Sequence, residues 1–248
     1  MRSILMLATL LAAQGVMADT VTIGNRDSAG LIRALQQAAQ SAGPHYIRLH
    51  PGGLYTLDLT DSEGLALPAI RSQVVIEGRG AEIRGWSHRP MHFFHVSAGG
   101  EGIIRDLTLA EANQGAIRNH GRMHLERVTI SDSLARGEHP IIANHGSLSL
   151  EDSRIEYNVV HAPEGTAALL NNEGTLEVER TSLTGNRITR TQTRPLSAAA
   201  FVNRGQIHAE GVSLADNLFN DLLPDSAELQ SVLNLSGGRI SGSALSAR

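Results

Sequence analysis

The chain has 248 residues, a formal net charge of −4, no cysteine and only 3% aromatic side chains. The absence of cysteine excludes disulfide stapling and thiol or cysteine–zinc chemistry. The mild charge gives no broad basic field, which argues against nucleic acid as a partner.

Residues 1–18 lead the chain order. Arg2 precedes an apolar run from about Ile4 to Ala13, and the small residues Val16 and Ala18 sit at the −3 and −1 positions of a cut after Ala18. This is the pattern of a secretory signal peptide, too short to span a bilayer. It predicts an exported protein, periplasmic or extracellular, whose mature part is residues 19–248. No second long apolar run comes after it, so no transmembrane segment is expected in the mature chain.

Residues 27–42, DSAGLIRALQQAAQSA, carry the one amphipathic helical pattern. Ser28 is the predicted N-cap. Leu31, Ile32, Leu35, Ala38 and Ala39 form the apolar stripe, and Gly43-Pro44 ends it. From about residue 45 onward the periodicity changes to short β-type alternation broken by Gly, Asn and Pro.

That alternation repeats. AIRNHGRMHLERVTISDS from Ala116 aligns with IIANHGSLSLEDSRIEYN from Ile141, LLNNEGTLEVERTSLTGN from Leu169 and AFVNRGQIHAEGVSLADN from Ala200. Each unit has a short apolar strand, Asn-x-Gly, an alternating run and a polar turn. Asn119, Asn144, Asn172 and Asn203 mark the repeat, with a degenerate fifth at Asn234; the spacings are 25, 28, 31 and 31 residues. Weaker copies begin at Gly102 and Gln73. A repeat of this length means a solenoid, here all-β: a single-stranded right-handed parallel β-helix of five to six coils with three short strands each. The helix at residues 27–42 is expected to cap its N-terminal end.

A period of two along each strand sets the side-chain directions. Met123, Leu125, Val128 and Ile130 point inward, as do their counterparts one coil on. The four marker asparagines are expected inside the corner, stacked and hydrogen-bonded along the axis, with the following glycine relieving the turn. Outward positions stack about 4.8 Å apart. One outward column reads Arg105, Glu126, Glu151, Glu179 and Glu210, and beside it runs His124, Ser149, Glu177 and His208.

The units resemble repeats of the polymorphic outer-membrane-protein type, G-A-I-x-N-x-G-x-L-x-L-x-x-x-x-F-x-x-N, and GAIRNHGRMHLERVTISDS is the best match. More broadly the chain resembles the secreted right-handed β-helix proteins of the pectate-lyase-like superfamily. The resemblance implies a fold over most of the mature chain. It does not imply one activity, since such folds include lyases, hydrolases, epimerases, adhesins and stalks. The clustered aspartates and basic partner of the lyases are missing, and no room remains after Asn234 for a membrane-embedded barrel.

Three readings of the glutamate column stay open. Glu126, Glu151, Glu179 and Glu210 form a solvated acidic face balanced by arginines, or hold a divalent cation such as calcium. Alternatively, Glu126, Glu151 or Glu179 with Arg127 or Arg180 serve a polysaccharide lyase or glycosidase. His120 and His145 occupy one slot a coil apart and should touch. The next equivalents are Glu173 and Arg204, so a zinc site would lack a third imidazole. His92 and His95, three apart, would face opposite sides of a strand. Arg187, Arg190 and Arg194 share one predicted loop, followed by Phe219, Leu222 and Leu223; with His124 and His208 these arginines are the candidate ligand-binding residues for an anionic glycan. The expected function is an exported, non-catalytic scaffold that binds polysaccharide or another cell-envelope component without a required cofactor. A small lyase or hydrolase is the alternative.

Overall fold

Alternating apolar residues bury one side of each strand, and identical repeats let successive strands pair in register. In a computed structural model the described residues (20–191, 196–219, 232–235, 237–242 and 246–247) form a parallel β-solenoid of about seven turns. The predicted signal peptide, Arg194, Leu222 and Leu223 lie outside the described residues, as do the side chains of Arg190 and Phe219. The turn number exceeds the expected five to six because strands Pro44–Leu49 and Leu54–Leu57 already pair with Gln73–Gly85. These first rungs lack Asn-x-Gly, so the repeat alone does not reveal them. No helix among the described residues is long and apolar enough to cross a membrane.

A central turn runs through four strands rather than three: Ile142–Asn144, Ser147–Glu151, Arg154–Glu156 and Val159–Ala162. Stacked along the axis they build three sheets, of fifteen, six and four strands. The four-stranded sheet comes from the stretch expected to be turn. The inward slots obey the sequence pattern. Met123, Leu148, Leu176 and Ile207 are in register and buried, and Leu125, Leu150, Val178 and Ala209 stack beside them. Ile117, Ile142, Leu170 and Phe201 close the core from the six-stranded sheet.

The corners carry the polar interior. Asn119, Asn144, Asn172 and Asn203 are fully buried. Each Nδ2 donates to the Oδ1 one coil on, at 2.8, 2.6, 2.8 and 2.8 Å, ending at Asn234. The same amides also donate to backbone carbonyls such as Ser147 and Thr175. A second ladder, at the last residue of three repeats, joins Asn158, Asn186 and Asn217 at 3.0 and 2.9 Å. Each of these accepts a backbone N–H from the preceding coil, Ser133 N reaching Asn158 Oδ1 at 3.0 Å. The ladders satisfy bent backbone that strand pairing cannot reach.

The glycine after each marker asparagine has a different reason from the expected one. Gly146 and Gly174 are not at positive φ. A Cβ on Gly146 would overlap the Gly121 carbonyl, and one on Gly174 the Gly146 carbonyl, so close coil-to-coil approach demands glycine there. Each repeat instead bends at two left-handed residues: one at Asp132, Tyr157, Gly185 and Asp216, and an earlier one at Asp106, Arg127, Asp152 and Arg180, with φ of 51, 52, 49 and 45°. The earlier four stack at one corner, each directly after a residue of the outward column.

The helix spans Ser28–Ala38, shorter than the expected 27–42. Its N-cap is Asp27, not Ser28: the Asp27 carboxylate accepts Gly30 N–H at 2.8 Å. Leu31, Ala34, Leu35 and Ala38 are buried in the main core. Ser72 Oγ donates to the Ala38 carbonyl at 2.7 Å, fastening the helix end to the first turns.

Candidate functional site

The strand Ser147–Glu151 and its neighbours place the acidic column as expected: Arg105, Glu126, Glu151, Glu179 and Glu210 are partners in register. The corner beside it is the unexpected part. There the left-handed residues alternate in sign, Asp106, Arg127, Asp152, Arg180. Arg127 Nε meets Asp106 at 2.6 Å and its guanidinium also pairs with Glu126. Arg105 Nε holds Glu126 from the other side at 2.8 Å. Arg180 spans Asp152 at 2.8 Å, Glu179 at 3.0 Å, and Glu151. The Arg127 hydrogen bonds hold the Glu126 and Asp106 carboxyls below their ordinary range, and Arg180 does the same for Asp152. An acid catalyst needs the opposite, a carboxyl kept protonated near neutral pH. Glu126, Glu151 and Glu179 are thus neutralised by arginines already in place.

The second column also stacks in register: His124, Ser149, Glu177 and His208. His124 stands 3.9 Å from Glu151, and His208 shares a hydrogen bond with Ser241 Oγ at 3.1 Å. Arg187–Arg190 form a strand, not a loop, with Arg187 exposed and in register with Val159 and Leu218.

A denser group lies around the six-stranded sheet. His120 and His145 stack face to face, 4.6 Å apart and 8° from parallel, as their shared slot requires. His145 Nδ1 meets Glu173 at 2.8 Å, and Arg204 reaches the same carboxylate at 3.7 Å. His95 tilts toward His120 at 5.4 Å, and His139 faces His92 at 6.4 Å. In their midst Arg118, in register with His95 and Ala143, lines a cleft of about 640 Å³. His92 precedes the strand Phe94–Val96 and is buried, while His95 lies within it and is half-buried; both feel the Arg118 charge. Burial, with Arg118 and His139 adding, pushes His92 down to about 4. Burial likewise lowers His95, His120 and His139. Among the described residues no group of three or more His, Asp or Glu side chains is arranged to hold a metal ion.

A separate cleft of about 650 Å³ opens where the Gln73–Gly85 strand ends. Trp86 and Leu59 lie on it, 71% and 78% exposed, beside Asp58, His88, Arg89 and Glu111. The backbone N–H of Trp86 donates to the Leu57 carbonyl at 2.7 Å. Asn113 Nδ2 bonds the Ser87 and Arg89 carbonyls at 3.2 and 3.3 Å, holding the loop that presents the indole. The repeat pattern does not mark Trp86; its being the only tryptophan, next to a strand-ending glycine, is the signal the sequence offers.

No family model matches the chain, and a search of curated proteins finds no relative. Fold and geometry therefore carry the functional reading.

Proposed function

We propose that the protein is an exported, non-catalytic β-helix that binds polysaccharide, presenting its ligand site on a rigid solenoid. The carrying observation is the state of the glutamate column. Every carboxylate in it that was a catalytic candidate is ion-paired to an arginine, which supports a non-catalytic face. The same arginines take the place that calcium would fill on that face. The strong chirality of parallel crossover connections favours a right-handed turn. The composition of residues 1–18 favours export.

The saccharide reading is supported by the Trp86 cleft. A pyranose ring offers a face of C–H groups to an exposed indole and hydroxyls to surrounding carboxylates, imidazole and guanidinium. Asp58, Glu111, His88 and Arg89 supply that polar rim. Because Trp86 is the only tryptophan, its fluorescence reports this cleft alone. Titration with neutral and anionic polysaccharides is expected to change that emission saturably, and Trp86→Ala should weaken retention in affinity electrophoresis by about tenfold. An unchanged emission together with unchanged retention of Trp86→Ala would show that this face binds no saccharide.

A further inference from the structure

The Arg118 cleft shares no lining residue with the Trp86 cleft, so its chemistry is independent of whether the protein binds a saccharide. Arg118 is half-buried and, among the described residues, its guanidinium makes no hydrogen bond or ion pair. A guanidinium stays charged at all working pH values, so withdrawing it from water without an acceptor is costly. Glu63 acts on Arg118 only through space, forming no ion pair with it, and burial makes its charge less favourable. Glu173 pairs with His145 and Arg204 and forms no ion pair with Arg118. Behind the cleft His92 is 3% exposed with its Nδ1 unpartnered. The Arg118 cation lacks a paired anion.

We propose that the cleft formed by Arg118, His120, His139 and Arg204 receives an oxyanion, a carboxylate, sulfate or phosphate group, and takes up protons with it. The Arg118 fork suits two oxygens of such a group. His120 and His139 add ring N–H donors from neighbouring coils, and the stacked His145 fixes the plane of His120.

The charge balance gives the sign of the pH dependence. On the cleft, Arg118 and Arg204 face Glu138 and Glu173. From the adjoining turns Asp61, Glu63 and Arg71 act on His95. With neutral imidazoles the cleft's two arginines are balanced by its two glutamates, so an anion gains little net attraction. Burial holds His120 and His139 below the ordinary histidine value when the cleft is empty. An oxyanion beside them favours the protonated rings, so binding and proton uptake reinforce each other. Affinity therefore rises as pH falls.

Isothermal titration calorimetry with sulfate, inorganic phosphate and acetate tests this at about pH 5.5 and about pH 7.5, on either side of the unperturbed histidine pKa. The expected result is one site per chain for at least one of these anions, about tenfold tighter at the lower pH, with net proton uptake. Which anion binds identifies the group. Arg118→Gln should lose about tenfold or more of this affinity with its thermal transition kept, while Arg122→Gln, paired to Glu101 on another sheet, should bind normally. Should Arg118→Gln fail to fold, His139→Asn is expected to flatten the pH dependence. No binding of any of the three anions at the lower pH overturns the proposal. So does equal affinity at both pH values, or binding untouched by Arg118→Gln or, in its place, His139→Asn.

Discussion

Asn144 shows how one side chain can hold three coils. Its Nδ2 donates to Asn172 and to the Thr175 carbonyl, and its Oδ1 accepts from Asn119. Asn144→Ala leaves buried partners on both sides unsatisfied and should cost about 3 kcal/mol in denaturant unfolding. Asn186→Ala in the second ladder should cost a similar amount, since Asn186 Nδ2 also caps the Ile155 carbonyl at 2.7 Å. His92 acts on stability through pH. Its folded value, about 4, lies below its unfolded one, so the folded state keeps it neutral while the unfolded chain takes a proton. Stability is then full above about pH 6.5 and falls as pH drops toward 4, by at most ~3 kcal/mol from this group. A series of thermal transitions over that range should slope downward, and His92→Gln should flatten the slope.

Elements here are set by corners more than by strand propensity. The column of left-handed residues bends the repeats with no glycine until Gly211, because Asp106, Arg127, Asp152 and Arg180 are held there by the stack and their own ion pairs. That is why the sequence pattern locates the outward glutamates and the arginines that balance them, yet misses Asp106 and Asp152, which share those arginines at the corner. The second asparagine ladder is visible as the last residue of three repeats, but Ser133 interrupts it in the first copy. The fourth strand of each turn is hidden because its residues, such as Leu134–Arg136, are too few to show a period. Around Arg118, residues far apart in sequence meet only through the winding of the coils, so spacing can join His120 to His145 but not His92 to His139. The helix boundary is a local matter: Asp27, one residue before the expected cap, carries the longer reach to Gly30 N. Asp27→Ala should lower stability by about 1 kcal/mol. Gly30→Ala should not gain the usual helix propensity, since its Cβ would overlap the Asp27 carboxylate. Both are checked by urea unfolding.

At the scale of the molecule, each coil presents the same outward position to solvent, so chemistry accumulates as columns. One column is an ion-paired ladder, and such a ladder stiffens a face without leaving a reactive group. The proposed binding surfaces are instead the two clefts, at Trp86 and around Arg118. The proposed function makes the solenoid a binder and not a catalyst, and a turnover assay decides between the two. Purified protein incubated with neutral and anionic polysaccharides should release neither reducing ends nor unsaturated ends, while still retarding in gels that contain the bound polymer. Release of either product by the native chain, abolished in Glu151→Gln, would make the protein an enzyme and its glutamate column the active site.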